Sequence, residues 1–138
     1  MNLTLYVDGG ARGNPGPAAA GVVLLDDDGK PVHRAGYYLG EATNNVAEYS
    51  GLIRGLEQGQ ALGASSITAF ADSELMVKQI NGQYRVKAEH LKGLKERAAT
   101  LMAGFDKATL SHVRRNKNVD ADALVNAAID RRQDVVES

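Results

Sequence analysis

Apolar and other residues alternate in short runs along the first third of the chain, which is the pattern of β-strands. Leucine and valine recur at every second position over residues 3–8, so a first strand is predicted there. Residues 20–25 and 32–39 are predicted to form two further strands. A glycine- and proline-rich turn over residues 9–17 and an Asp-Gly turn over residues 26–30 separate the three strands. These short connections predict an antiparallel meander.

The rest of the chain alternates between helical and strand patterns. Apolar residues recur every three or four positions from Val46 to Leu56, which predicts a helix over residues 43–62 with Thr43 or Asn44 as its N-cap. Four more elements precede the last helix: a strand over 66–71, helices starting at Ser73 and near Leu91, and a strand over 107–113. The last helix is predicted to begin at Asn118 or Asp120. The order is β-β-β-α-β-α-α-β-α.

This order predicts an α/β fold in one domain, residues 1–138, with a five-stranded mixed sheet and helices on both faces. The length of 138 residues is typical of a single domain. The absence of cysteine excludes disulfides, thiol nucleophiles and cysteine-ligated metals. No apolar run reaches the length of a membrane span, and the first residues do not resemble a secretory leader. We therefore expect a soluble, cytoplasmic protein with no membrane association.

The net charge of −1 argues against nucleic-acid binding by bulk charge alone, but the basic residues are unevenly distributed. Between Lys78 and Arg97, six basic residues face only two acidic ones. A smaller basic cluster contains Arg114, Arg115 and Lys117. Such runs indicate either a nucleic-acid contact or simply a solvated helix face, and composition alone does not distinguish the two.

Four acidic residues stand at the ends of predicted elements. Asp8 and Asp72 end the first and fourth strands, and their carboxylates would share one sheet edge if those strands were parallel neighbours. Glu48 and Asp122 lie near the starts of two helices, beside the apolar stripe. Taken singly, each acid is equally consistent with a turn former, a helix cap or a solvated residue. Together they form an oxygen-only cluster that selects Mg²⁺ or Mn²⁺ and suits phosphoryl transfer by two metal ions.

Four segments in order resemble the motifs of type 1 ribonuclease H: DGGARGNPGP at 8–17, TNNVAE at 43–48, DSEL at 72–75 and NVDADALVN at 118–126. The resemblance covers the whole chain and implies the ribonuclease H-like fold. It implies hydrolysis of the RNA strand of RNA–DNA hybrids, leaving 3′-hydroxyl and 5′-phosphate ends. The resemblance implies two ions per site, Mg²⁺ or alternatively Mn²⁺. The catalytic acids Asp8, Glu48, Asp72 and Asp122 would hold them, with Asp120 as a competitor for the fourth place.

The resemblance also implies substrate contacts, and it implies that the partner is an RNA–DNA hybrid. Gly9 would bring backbone close to the substrate, and Asn14 matches a family position that contacts the nucleic-acid backbone. Thr43 and Asn45 would hold a DNA phosphate at a helix N-terminus, while Asn44 would reach a base or sugar edge. Glu74 would face the RNA, and the 2′-hydroxyl that distinguishes RNA suits such a group. We expect the protein to act as a monomer.

The chain departs from many bacterial family members in two places. The connection over residues 81–88 is short and lacks their cationic insertion, which resembles the archaeal-type subgroup and predicts weaker, more salt-sensitive hybrid binding. The loop before Asp122 lacks their histidine. Arg115 is the candidate substitute, acting on phosphate charge or product release, since arginine is no general base near neutrality.

Two other functions remain open at this point. A non-catalytic hybrid-binding module would share the fold, although a pure binder has no need of four converging acids. Another nuclease of the ribonuclease H-like superfamily would share the acids but not the motifs at 8–17 and 43–48. A phosphate-binding loop at residues 9–16 is disfavoured because neither glycine-rich nucleotide motif is present.

Overall fold

A computed structural model describes residues 1–137 as a six-stranded mixed sheet with helices on both faces. The strands are β1 (Asn2–Ala11), β2 (Gly16–Leu25), β3 (Pro31–Ala42), β4 (Ser66–Ala71), β5 (Lys107–His112) and β6 (Val135–Glu137). The helices are α1 (Asn44–Ala61), α2 (Glu74–Ile80), α3 (Glu89–Ala103) and α4 (Val119–Arg131), with a short 3₁₀ turn at Arg115–Lys117. Within residues 1–137, no helix is both long enough and apolar enough to cross a membrane.

The sheet order is β5-β4-β1-β2-β3-β6, which confirms the predicted element order and mixed sheet. Strands β1, β2 and β3 form the antiparallel meander. Strand β4 runs parallel to β1, with Val7 beside Ala71, and β5 runs parallel to β4. The ends of β1 and β4 therefore lie side by side, as the placement of Asp8 and Asp72 requires.

Two features of the sheet differ from the sequence-based expectation. The turn predicted over residues 9–17 is wrong in extent, because β1 continues to Ala11 and its Gly9 and Gly10 pair with Ala20 and Ala19 of β2. Gly9 and Gly10 therefore do not end the strand. They remain in it at positions where neighbouring elements pack closely. The sheet also contains β6, a sixth strand that was not predicted. It is only three residues long and pairs with the edge of β3.

Each face of the sheet packs against a different set of helices. Leu3, Leu5 and Val7 of β1 point towards α1 and α3 and form the larger core, as strand alternation requires. Helix α4 covers the opposite face over β2 and β3. A Cβ atom on Gly21 of β2 would lie 2.2 Å from the carbonyl oxygen of Ala121, so glycine is needed for α4 to approach this closely. This contact fixes the start of α4 near the end of β1.

Candidate active site

Three carboxylates from separate segments converge at the adjoining ends of β1 and β4. Asp8 is a buried residue of β1, and Asp72 directly follows β4. Glu48 comes from the beginning of α1. One carboxylate oxygen from each of the three lies within 4.8 Å of the others. The structure therefore brings together three of the four acids that were predicted to converge.

The close contact between α1 and β1 places Glu48 beside Asp8. A Cβ atom on Gly9 would lie 2.2 Å from the carbonyl carbon of Ala47 and 2.3 Å from the backbone nitrogen of Glu48. Backbone atoms cannot yield to such an overlap as a flexible side chain can. Gly9, predicted as a substrate contact, therefore has a packing role that brings two acids together.

Burial and mutual repulsion disfavour the charged forms of Asp8 and Glu48. Burial, and next the charge of Asp72, raise the pKa of Asp8 to about 8. Burial, with further contributions from Asp8 and Asp72, raises the pKa of Glu48 to about 9. Among residues 1–137, the buried Oε2 of Glu48 and Oδ2 of Asp72 have no hydrogen-bond partner. Unpaired buried oxygens of this kind fit a hard divalent ion, which would satisfy them and neutralise the repulsion.

Asp122 lies at the same cavity but outside the group of three. This cavity, of about 350 Å³, is lined by Asp8, Glu48 and Asp122 among others. The side-chain amide of Asn126, one turn later in α4, donates to the backbone oxygen of Asp122 at 3.1 Å. Asp120 instead pairs with Arg34 at 3.5 Å and lines a different cavity. The cavity thus favours Asp122 over Asp120, and its role as a ligand stays a prediction.

Asn118 anchors the start of α4 to the central strand, a role that was not predicted. Its Nδ2 donates to the backbone oxygen of Val7 at 2.8 Å, and its side chain is almost completely buried. Its own backbone oxygen accepts from the backbone nitrogen of Asp122. The four-residue spacing of Asn118 and Asp122 was the signal in the sequence, since it places them one helical turn apart.

The residues predicted to bind substrate at the N-terminus of α1 also stabilise the helix start. Thr43 Oγ1 accepts from the backbone nitrogen of Val46 at 3.2 Å and is the N-cap. Asn14 Oδ1 accepts from the backbone nitrogen of Asn44 at 3.0 Å, and Asn44 Oδ1 accepts from that of Ala11 at 2.9 Å. These bonds join the β1–β2 loop to α1, and Asn44 lines the acidic cavity.

The remaining predicted contacts are placed around the acids and beyond them. Arg115 also lines the acidic cavity, and its highly exposed guanidinium lies 3.9 Å from Oδ2 of Asp72. Glu74 is exposed and pairs with Lys78 at 2.8 Å, which lowers the pKa of Glu74. Asn45 faces a second cavity, of about 550 Å³, between α1, α2 and the 81–88 connection. The structure thus separates Asn45 from the acidic cavity that its neighbour Asn44 lines.

Arg12 belongs to the acidic cavity and was not predicted as a site residue. Its guanidinium pairs with Asp130 of α4 at 2.6 Å and donates to Oδ1 of Asn126 at 3.4 Å. Its position inside the first motif, four residues after Asp8, was the available signal. Arg12 and Arg115 together give the acidic cavity two cationic side chains.

Comparison with known proteins links this geometry to one family. A family model described as "Reverse transcriptase-like" matches residues 6–128. The chain is 45% identical over 125 residues to ribonuclease HI of Halobacterium salinarum, which covers 91% of this chain and 63% of the relative. It is 41% identical over 131 residues to the bifunctional protein Rv2228c of Mycobacterium tuberculosis, covering 94% of this chain and 36% of the relative. The chain therefore spans less than two thirds of these curated relatives.

Solved structures show the same fold. The crystal structure of RNase H1 from Halobacterium salinarum superimposes with a TM-score of 0.92 at 43% identity, covering 95% of this chain and 99% of that one. LC11-RNase H1, crystallised in complex with an RNA/DNA hybrid, gives a TM-score of 0.89 at 44% identity. That match covers 94% of this chain and 98% of the other.

Proposed function

This chain belongs to the type 1 ribonuclease H family, and on that basis we propose that it hydrolyses the RNA strand of RNA–DNA hybrids. The observation that carries the proposal is the convergence of Asp8, Glu48 and Asp72, with carboxylate oxygens within 4.8 Å of one another. A protein that only bound nucleic acid would gain nothing from this costly concentration of buried carboxyl groups. LC11-RNase H1, at 44% identity, has been crystallised with an RNA/DNA hybrid, which supports the substrate class.

The proposed cofactor is a pair of divalent ions, Mg²⁺ or Mn²⁺, bound by Asp8, Glu48, Asp72 and Asp122. The donor set is composed of carboxylate oxygens, which are the ligands that these ions prefer. Within residues 1–137, Oε2 of Glu48 and Oδ2 of Asp72 are buried without a hydrogen bond, and an ion would satisfy both. When bound, the ions would supply Lewis-acid stabilisation of phosphate charge and lower the pKa of water for attack on phosphorus.

The chain's own residues would prepare the site in two ways. Asp8 and Glu48 must lose their protons before they can bind a cation, so ion binding and proton release are coupled. Arg12 and Arg115, which line the acidic cavity, would neutralise phosphate oxygens of the cut strand. The Arg115 guanidinium lies beside Asp72 and is otherwise exposed, which leaves it available to a phosphate group.

The other predicted contacts extend the substrate site from the acids along α1. Backbone and polar side-chain groups would lie against the nucleic acid at Gly9, Asn14, Thr43 and Asn44. Asn45 would contact the second strand at the separate cavity. Glu74 would lie on the RNA side. We further propose that residues 1–138 form one domain that acts as a monomer.

A cleavage panel tests the proposal. We expect the protein to cut the RNA strand of a labelled hybrid with Mg²⁺ or Mn²⁺ and to leave double-stranded DNA and junction substrates intact. Asp8→Asn and Asp72→Asn should retain the fold, by circular dichroism, and lose at least about 100-fold in kcat because an ion ligand is removed. Hybrid binding without cutting by the unaltered protein would refute the nuclease function and indicate a binding module. Preferential cutting of junctions would indicate a different nuclease.

A further inference from the structure

A buried polar pair lies beside the second cavity, and the acidic site does not use it. The hydroxyl of Tyr49 donates to Oε1 of Gln79 at 2.8 Å. Tyr49 is 1% exposed and Gln79 6%, so both groups are almost completely withdrawn from water. Gln79 lines the cavity of about 550 Å³ that Asn45 also lines. Core packing alone favours an apolar residue at such a position, because burying an amide costs free energy unless all its groups are paired.

The bond from Tyr49 sets the direction of the Gln79 amide. A glutamine side chain has an acceptor oxygen and a donor NH₂ group on opposite sides of the amide carbon. Tyr49 takes the oxygen, so the group left to face the cavity is Nε2. Burial raises the pKa of Tyr49 to about 12, and its hydroxyl therefore remains a neutral donor at physiological pH. The pair thus presents a fixed donor to whatever occupies the cavity.

The surroundings of this donor define the chemistry of the occupant. Arg85 and Lys87 line the same cavity and favour an anionic ligand. Tyr84 is half exposed, and the ammonium group of Lys78 lies 4.9 Å from the centre of its ring. A cationic rim with an exposed aromatic ring and an amide donor fits a sugar–phosphate strand with its bases.

Both cavities border the N-terminus of α1. Asn44 lines the acidic cavity, and the next residue, Asn45, lines the second one. A duplex whose cut strand lies at the acids would therefore place its other strand at Asn45 and Gln79.

We propose that Gln79 is a specificity-determining residue, whose Nε2 donates a hydrogen bond to an acceptor on the uncut strand of the hybrid. Tyr49 is the positioning residue that holds the amide in this orientation. The inference rests on the proposed function, because it takes the occupant of the cavity to be the second strand of the substrate.

Binding and steady-state measurements on a short labelled hybrid test this assignment. Gln79→Met removes the donor but keeps the side-chain length. We expect it to raise Kd and KM about 3- to 10-fold with kcat unchanged, the equivalent of one neutral hydrogen bond. Kd is measured in an Asp72→Asn background so that the hybrid is not cut. The control is Gln58→Met, on the last turn of α1 about 20 Å from Asn45, which should leave both constants unchanged.

Two further variants separate recognition from a purely structural role. Gln79→Glu keeps the acceptor for Tyr49 but replaces the donor with a charged oxygen, and should raise Kd more than about 10-fold. Tyr49→Phe frees the amide to rotate and should raise Kd by a smaller factor. The dependence of Kd on salt should keep its slope in Gln79→Met, because the lost contact is neutral, whereas Arg85→Ala should reduce the slope.

The outcomes distinguish this inference from the proposed function. If folded Gln79→Met and Gln79→Glu retain the Kd and KM of the unaltered protein while it cuts hybrid, the inference is wrong and the function stands. If Gln79→Met fails to fold, an unchanged Kd in Gln79→Glu and Tyr49→Phe overturns the inference equally. If the unaltered protein binds hybrid without cutting it, the proposed function fails and the Kd comparison still decides the role of Gln79. If it binds no hybrid, both fail.

Discussion

Asp8 and Glu48 hold their protons at a pH where most carboxylates have lost them. Burial and mutual repulsion raise the pKa of Asp8 to about 8 and that of Glu48 to about 9. Without a cation, the folded protein therefore binds protons that the unfolded chain has already released. This stabilisation by protonation is complete below about pH 4 and is lost as the pH rises through about 8.

Asp8→Asn should consequently stabilise the metal-free protein at pH 8. The amide cannot ionise, so the variant avoids the cost of burying a charge, and its free energy of unfolding should exceed that of the unaltered protein by on the order of 1–3 kcal/mol. The difference should shrink towards pH 4, where the unaltered carboxyl is neutral in the folded state. Urea unfolding in EDTA at both pH values measures it. Equal stability at pH 8 would show that Asp8 is not held protonated.

Gly9 has no side chain, so α1 packs close enough to β1 for Glu48 to lie beside Asp8. Gly9→Ala would force its Cβ into the backbone of α1 at Ala47, whereas Gly10→Ala would meet only a side-chain methyl of Val125 at 3.6 Å. We expect Gly9→Ala to lose about 2 kcal/mol or more of stability, as overpacking does, together with most of its metal affinity. Gly10→Ala is the matched control and should change little. Calorimetric titration with Mn²⁺ and thermal unfolding report the two effects, and equal behaviour of both variants would contradict the packing role.

At the scale of elements, the starts of two helices decide which acids meet. Helix α1 is fixed by Thr43, Asn44 and the β1–β2 loop, and it delivers Glu48. Helix α4 is fixed by Asn118, whose side chain donates to the backbone of β1. Each helix start is thus attached to the central strand that carries Asp8. These attachments hold Glu48 and Asp122 in position relative to Asp8.

Asn118→Ala should release the start of α4. The variant leaves the buried backbone oxygen of Val7 without its donor, which costs about 1–3 kcal/mol of stability. We also expect reduced kcat, because Asp122 follows one turn later. Asn116→Ala, an exposed position in the preceding turn, serves as the control. Chemical denaturation and hybrid cleavage measure the two effects. If a folded Asn118→Ala variant kept full activity, either Asp122 would not be needed for catalysis or its position would not depend on Asn118.

Periodicity and turn residues predicted the elements well because their signals are local. The apolar alternation of β1, the stripe of α1 and the caps at Thr43 and Ser73 all depend on neighbours within a few positions. The extension of β1 through Gly9 and Gly10 was not predictable in this way, since it depends on β2 and α1 packing against that segment. The short β6 is stabilised by an edge that only the folded sheet provides.

The same distinction applies to the site: residues with local signals were predicted, and tertiary contacts were not. Asp8, Glu48 and Asp72 were predicted because each occupies the end of a recognisable element inside a motif. The tie from Asn118 to Val7 and the bond from Tyr49 to Gln79 join residues 111 and 30 positions apart. The spacing from Asp122 marks Asn118 but not its bond to Val7, so neither contact has a local signature and only the three-dimensional structure shows them.

At the scale of the whole molecule, acidic and basic side chains line two separate cavities. Asp8, Glu48 and Asp122 line one cavity, Arg85 and Lys87 line the other, and the N-terminus of α1 borders both. The overall charge is −1, so the basic groups act locally. The 81–88 connection is short, and its only basic residues are Arg85 and Lys87.

Hybrid binding should accordingly be weak and strongly dependent on salt. Each phosphate contact contributes about −0.9 to the slope of log K against log salt concentration for a duplex. Arg85→Ala and Lys87→Ala should each flatten that slope by close to one contact, and Lys30→Ala, in the exposed β2–β3 turn, should leave it unchanged. Fluorescence anisotropy across a salt series gives the slopes. If all three variants kept the slope of the unaltered protein, phosphate binding at the second cavity would be excluded.

The central position of β1 has a consequence for biosynthesis. Its parallel partner, β4, begins more than fifty residues later, and the anchor at Asn118 follows after a further helix pair. A nascent polypeptide on the ribosome therefore cannot bring Asp8, Glu48 and Asp72 together until β4 and Asp72 have been translated, and the attachment of α4 at Asn118 forms later still. Such long-range pairing also slows maturation of the finished polypeptide.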